Sequence, residues 1–256
     1  MAKIKWDHVV HYVNDLTAAK DVFVSNGLIA FEGGSHKQWG TYNVLSYFGL
    51  TYLEFLALED RELAESIGDP NDVVKDAVKH LPEEEVLSRL ALRTDDIEAV
   101  RERLTEHGIE ATPIMAGKRN DAKGNLIEWK MMTIPGDYQG LPYPFVIQWN
   151  GSDEEREAQL KETGIIQEHP AGNVVMERAI FHVEQPQAVA EHWAELFDLA
   201  LETIITDESS AVKTDKHAFV FQVGSENRLQ VIEFSTDNEQ LKGRNIKIGD
   251  GIYSFR

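Results

Sequence analysis

An apolar strand pattern, His8-Val9-Val10-His11-Tyr12-Val13, gives way at Asn14-Asp15 to apolar residues at helical spacing, Ala18, Val22 and Phe23. The same order recurs twice. Leu90-Ala91-Leu92 leads through Asp95-Asp96-Ile97 to Val100 and Leu104, and Ala179-Ile180-Phe181 leads through Glu184-Gln185-Pro186 to Val189, Trp193 and Phe197. Strands present alternate residues to one face and helices every third or fourth, so each stretch predicts a strand followed by an amphipathic helix. Asn14, Asp95 and Gln185 stand where a helix starts, and Gly27 and Gly108 stop the first two helices, where a left-handed residue is wanted.

After each helix come further strand-like runs: Leu28–Phe31, Asn43–Phe48 and Tyr52–Leu58; then Glu110–Ile114, Ile127–Ile134 and Tyr143–Trp149; then Leu201–Ile205, Ala218–Val223 and Leu229–Phe234. The repeating unit is βαβββ, present three times, and the fold class is α+β. The acidic stretch 59–85 and the polar stretch 151–173 separate the copies and read as partly helical. Gly151-Ser152-Asp153 reads as a hinge and helix cap. This places a paired-module domain at residues 1–150, and a linker with a third module at 151–256. The chain after Phe234 is too short for a fourth full copy, so the third module is expected to pair with its equivalent in a homodimer.

Composition narrows the function classes. The absence of cysteine excludes disulfides, thiolate metal sites and a cysteine nucleophile. A formal net charge of −19 would repel nucleic acid and anionic membrane. No apolar run approaches the roughly 20 residues that span a bilayer, and no secretory leader is visible, so cytoplasm is the expected location. The expected partner is a small molecule.

Three runs carry a family resemblance: Gly33-Gly34-Ser35-His36 leading to Trp39-Gly40-Thr41-Tyr42-Asn43; Tyr52-Leu53-Glu54-Phe55-Leu56; and Tyr143-Pro144-Phe145-Val146-Ile147-Gln148-Trp149. With the tandem βαβββ order, they resemble the vicinal-oxygen-chelate superfamily of glyoxalases, extradiol dioxygenases and bleomycin-binding proteins, and within it the glyoxalase-like domain family. The resemblance implies a cup-shaped mixed sheet with a small-molecule site inside. Metal-dependent members of the superfamily take a His from a module's first strand and a Glu from its last. Carried over, the first module supplies His8 and Glu54, while the second holds Arg89 and Gln148 at the matching places. The cofactor expectation is therefore one divalent metal at most, on an incomplete ligand set of His8 and Glu54.

Read as residues, His8 and Glu54 are candidates for an acid/base couple. A carboxylate inside Tyr-Leu-Glu-Phe-Leu is costly to bury unless paired; a core histidine is the competing reading for His8. His11 lies one residue out of phase and is read as structural. His36, Trp39, Asn43, Arg89, Arg119 and Gln148 are candidate substrate contacts, with the arginines suited to an oxyanion. A loop tip accounts equally well for Lys118-Arg119, and core packing for Trp129 and Trp149. In the third module Glu233 is read as repeating the Glu54 position and Arg178 the His8 position. Two function classes stand: a glyoxalase-like lyase or isomerase acting on a small anionic substrate, and a non-catalytic sequestering protein of the bleomycin-binding type.

Overall fold

The computed structural model describes residues 2–120, 124–206 and 208–256. Strand β1 (Ile4–Tyr12), helix α1 (Leu16–Ser25) and strands β2 (Phe31–His36), β3 (Thr41–Phe48) and β4 (Thr51–Leu58) form the first module. Helices α2 (Arg61–Ser66) and α3 (Asp72–His80) follow. The second module is β5 (Leu87–Thr94), α4 (Ile97–Glu106), β6 (Met115–Asn120), β7 (Leu126–Met132), the short pair β8 (Asp137–Tyr138) and β9 (Leu141–Pro142), and β10 (Phe145–Trp149). Together they make one eight-stranded sheet in the order β2-β3-β4-β1-β5-β10-β7-β6. Within each module the last strand runs parallel to the first, and β1 and β5 meet antiparallel at the centre.

Helix α6 (Pro186–Phe197) is capped at Gln185 as expected, while the caps of α1 and α4 fall one residue after Asn14 and Asp95. Asp15 and Asp96 accept hydrogen bonds from first-turn amides of α1 and α4, and Ser152 and Glu155 form a reciprocal capping box on α5 (Asp153–Glu162). Gly27 and Gly108 have φ values of 75° and 74°, the left-handed conformation that ends α1 and α4.

The rest of the chain departs from a simple third copy. Strands β11 (Val174–Val183), β12 (Ala200–Thr206), β13 (Ser209–Thr214) and β14 (His217–Val223), with helix α6 (Pro186–Phe197), complete a βαβββ module by themselves. β14 is parallel to β11 just as β4 is to β1. Strand β15 (Arg228–Thr236) pairs antiparallel with β11, as β5 does with β1, and β16 (Asn245–Ile248) and β17 (Gly251–Phe255) extend the sheet beyond it. These three strands are an abbreviated fourth module, with a short turn-rich connection in place of the helix. The third module therefore has its partner within the chain, which removes the reason for seeking it in a second copy.

The register also corrects one assignment. Arg178 pairs with Ala218 on β14, so two residues further Val220 stands where Glu54 stands in the first module. Glu233 lies on β15 instead, opposite Arg178. The strand expected at 110–114 begins at Met115, and β13, Ser-Ser-Ala-Val-Lys-Thr, lacked the apolar run that reveals a strand.

One continuous apolar core joins the helix-bearing faces of both sheets, from Trp6, Val9 and Phe23 to Trp193, Phe219 and Tyr253. A second cluster fills the concave face of the first sheet. There Val73, Val74 and Ala77 of α3 pack against Val10, Tyr12 and Leu56, with Trp39, Trp129 and Phe145 beside them. Tyr12 hydrogen-bonds the Val73 carbonyl at 2.7 Å and fixes α3 in the cup.

Candidate functional site

The site is organised by a β-bulge. On β1, Trp6 pairs with Leu92 and His8 with Ala91, so Asp7 is an extra residue without an opposite number. A bulge breaks the alternation of faces. Trp6 turns into the helix-side core, whereas Asp7 and His8 both turn toward the cup. Nδ1 of His8 donates to Asp7 Oδ1 at 2.7 Å, and its Nε2 lies 3.3 Å from Glu54 Oε2. The other Glu54 oxygen accepts from Asn43 Nδ2 at 2.5 Å. Behind Asp7, Oδ2 accepts from Trp149 Nε1 at 2.9 Å and lies 3.5 Å from Arg156 Nη1. The Arg156 guanidinium in turn rests over the Trp149 ring, 4.3 Å from its centre.

This gives a buried chain of alternating charge: Arg156, Asp7, His8, Glu54. Burial disfavours the ionised form of each. For Asp7, burial is opposed by Arg156, His8 and Arg93, which together bring its pKa down to about 2. For His8, burial opposes the imidazolium, but hydrogen bonds and charge from Asp7 and Glu54 outweigh it and raise the pKa above 6.5. Burial is likewise the largest influence on Glu54 and pushes it up. The hydrogen bond and charge of His8, with the hydrogen bond from Asn43, overcome it and hold Glu54 at about 2.

The His8 ring is stacked on Tyr52, with centres 4.5 Å apart, and meets the edge of Phe145. These side chains line a chamber with His36, Trp39, Asn43, Asn71, Arg119, Trp129 and Trp149. His36 is buried at the end of β2, with Nδ1 3.0 Å from Thr41 Oγ1. Burial lowers its pKa to about 4, so its ring is neutral at neutral pH. Arg119 lies on β6 and donates to the Gly33 carbonyl across the neck of the chamber. The segment that follows Lys118-Arg119, read as a loop tip, lies in part outside the described residues. Gly117 packs against Trp129 of the chamber wall, where a Cβ would meet the indole ring at 2.2 Å.

The structure gathers His8, Glu54, His36, Trp39, Asn43 and Arg119 on one chamber. Arg89 and Gln148 do not line it. Opposite Val10 the β5 strand carries an irregularity between Leu87 and Leu90, and Arg89 there bonds Asp76 of α3 at 2.7 Å and the Tyr143 carbonyl at 2.7 Å. Gln148 faces the other side of β10 and caps α4, accepting from Ile97 N and donating to the Asp95 carbonyl. Because Ala91 pairs with Phe145, it is Phe145, two residues beyond Tyr143 opposite Arg89, that holds the place of Glu54 in the second module. Matching the chain by the Phe-Val-Ile run shifted this position and reversed the face.

Asp7, Arg156 and Asn71 were missed. Asp7 carried the same signal as Glu54, an acid within a buried strand, but strict alternation set it opposite His8. Arg156 sits in a helix whose sequence, Asp-Glu-Glu-Arg-Glu, reads as wholly solvated. His11 does face away from the chamber, with Nδ1 2.5 Å from the Tyr253 hydroxyl of the second sheet.

The donor set does not suit the metal of the superfamily's metal-dependent members. Among the described residues no group of three or more His, Cys, Asp or Glu side chains is placed to hold a metal ion. The first module offers only His8 Nε2 and Glu54, and the second offers an arginine salt-bridged elsewhere and a phenylalanine.

Comparison with known proteins agrees with this architecture. Over its whole length the chain is similar to a hypothetical protein from Staphylococcus aureus, with 23% identity, 99% of each chain covered and a TM-score of 0.83. It is also similar to the Mn(II)-bound glyoxalase from Novosphingobium aromaticivorans, at 11% identity over 100% of this chain and 82% of that one, TM-score 0.57. A mutant 4-hydroxymandelate synthase from Streptomyces coelicolor aligns at 13% identity over 93% and 72%, TM-score 0.51. At such identities the likeness is one of fold. No match is found among curated proteins. Among the described residues no helix is long and apolar enough to cross a membrane. The family model for the glyoxalase-like domain matches residues 6–197, from β1 through α6. The chain belongs to the glyoxalase-like domain family, with the paired βαβββ fold of the vicinal-oxygen-chelate superfamily.

Proposed function

We propose that the chain is a proton-transfer enzyme of the lyase or isomerase type, acting on a small carbonyl compound in the His8–Glu54 chamber. The observation that carries this reading is the loose 3.3 Å contact between His8 Nε2 and Glu54, set between tight bonds at 2.7 Å to Asp7 and 2.5 Å to Asn43. A carbonyl oxygen entering the chamber can take the Nε2–H bond from Glu54. The carboxylate then loses its largest stabilising partner while remaining buried, and burial pushes its pKa up toward that of a useful base. Glu54 removes the proton from the carbon beside the carbonyl. His8 donates to the developing enolate oxygen, and ionised Asp7 stabilises the imidazolium. Return of the proton to the same or the neighbouring carbon gives exchange or isomerisation, while loss of a neighbouring leaving group gives a lyase. In this reading the surrounding cations serve the oxyanion formed during reaction, not a charge brought by the substrate.

The test is loss of α-proton NMR signals from a panel of aldehydes and ketones in heavy water. Catalysed exchange by the wild-type protein, absent in His8→Ala, supports proton transfer. Binding of panel members without any exchange would instead favour the sequestering reading.

A further inference from the structure

The chain contains two Asn–Gly steps, Asn26–Gly27 and Asn150–Gly151. A glycine amide is the least hindered backbone nitrogen, so at such a step it can attack the side-chain amide before it, and the fold decides whether it does. The two steps stand in opposite surroundings. Asn26 caps the end of α1: its Nδ2 donates to the Val22 carbonyl at 2.7 Å, and the Gly27 amide donates to the Val24 carbonyl at 3.0 Å. Ala171 closes over Gly27, where a Cβ would meet the alanine Cβ at 3.1 Å. Both reacting groups are held, and this turn must open before they can meet. Asn150 and Gly151 are exposed, and Asn150 lines a surface cleft with Trp149 and Arg156. Among the described residues neither the Asn150 side chain nor the Gly151 amide has a hydrogen-bond partner.

The second step also lies in a short connection fixed at both ends. On one side Trp149 pairs with Trp129 across the sheet and donates to Asp7. On the other, Ser152 and Glu155 cap α5, and Asp153 is clamped by Lys5 at 2.9 Å and Arg93 at 3.0 Å. The helix so held lays Arg156 over the Trp149 ring, 3.5 Å from Asp7 Oδ2. An extra backbone atom between Trp149 and Ser152 cannot be taken up without moving one of these ends.

We propose that Asn150–Gly151 is a site of spontaneous covalent modification, converting in the folded protein to an isoaspartyl linkage that loosens α5 and its Arg156 from Asp7. The Gly151 nitrogen loses its proton to solvent and bonds to Asn150 Cγ. The Cγ–Nδ2 bond breaks, and Nδ2 takes up a proton and leaves as ammonia. Water then opens the cyclic imide. Cleavage between the nitrogen and Cγ gives aspartate; cleavage between the nitrogen and the Asn150 main-chain carbonyl carbon gives isoaspartate, whose backbone runs through Cβ and Cγ. Water is the only co-reactant. The proposal does not depend on the chamber being catalytic.

The test is incubation of the full chain in mildly alkaline buffer, with peptide mass spectrometry and isoaspartyl methyltransferase labelling to place the product. In native buffer isoaspartate is expected at 150 at least about tenfold faster than at 26, since the Asn26 turn must first break its two hydrogen bonds. In urea the two steps should react alike. No isoaspartate at 150, or a native rate there no higher than at 26, overturns the proposal. Loosening of α5 is read by limited trypsin cleavage after Arg156, which requires the helix to open. The isoaspartyl chain is expected to be cut there about tenfold faster than fresh protein, the effect of losing a helix cap. Repair by isoaspartyl methyltransferase with S-adenosylmethionine should restore the slow rate. Asn150→Asp adds the charge without the extra backbone atom and should be cut as slowly as wild type. Asn150→Gln should neither age nor be cut faster. Unchanged cleavage of the isoaspartyl chain, or equally fast cleavage of Asn150→Asp, contradicts the proposal.

Discussion

Asp7 and His8 are consecutive residues of one strand, yet their side chains meet, Oδ1 to Nδ1, at 2.7 Å. The bulge at Asp7 makes this possible, and it turns a lone histidine into the middle of a buried carboxylate–imidazole–carboxylate array. Asp7→Asn keeps the shape and an acceptor for Nδ1–H but removes the charge that supports the imidazolium. The His8 pKa should fall, as followed by NMR titration of the ring, and catalysed α-proton exchange should drop on the order of 10²-fold. An unchanged His8 titration would mean that Asp7 does not set its charge.

Gly33 holds a different part of the array. Its backbone φ is ordinary, but a Cβ there would come within 2.3 Å of Asn43 Oδ1 and 2.7 Å of two Leu45 carbons. Gly33→Ala should push Asn43 from Glu54, at about 1–3 kcal/mol in stability. The loss of exchange activity should exceed what the shift in urea midpoint explains. A variant with normal activity would show that Asn43 does not position Glu54.

Acid stability follows from buried histidines. Burial first, and nearby cations second, lower His217 to about 4; burial lowers His11 to about 3 and His36 to about 4. Each folded value lies below the unfolded 6.5, so below that pH the unfolded chain takes up protons that the folded chain resists. Stability is therefore lost as pH falls from about 6.5 toward 4, by a few kcal/mol in total. Asp7 and Glu54, held at about 2, add a second loss below about pH 4. His8, with its raised folded value, acts in the opposite sense and favours the folded state below 6.5. Urea midpoints at about pH 7 and pH 5 should show the net fall, and His217→Gln should reduce it; a rising midpoint on acidification would contradict the assignment.

The second sheet is tied to the first through the His11–Tyr253 hydrogen bond, in the shared core and on the opposite side of β1 from the chamber. Tyr253→Phe should cost about 1–3 kcal/mol in chemical denaturation by leaving His11 Nδ1 without that partner. Exchange activity under folded conditions should stay near wild type. Equal loss of both would imply coupling between this core and the chamber.

The module order and helices α1, α4 and α6 were legible from their apolar spacing, with glycines marking the ends of α1 and α4. Glu54 stood out because a carboxylate in an apolar strand is costly. What escaped was everything set by irregular pairing. The bulge that brings Asp7 beside His8 leaves no mark in a period-2 pattern, and a similar irregularity on β5 carries Arg89 to Asp76 instead of the chamber. Gln148 was misplaced because register, not local similarity, decides which residues share a face. The fourth module was hidden because its helix is absent and β13 is polar. Arg156 could not be told from a solvated helix residue, since its burial arises only when α5 folds over Trp149.

Glu54→Gln, assayed for α-proton exchange in heavy water with ligand binding followed by tryptophan fluorescence, addresses the chemistry most directly. The amide is isosteric but cannot take a proton at this pH, so exchange should vanish while ligand binding persists. Exchange at the wild-type rate in a folded Glu54→Gln protein would show that the base lies elsewhere.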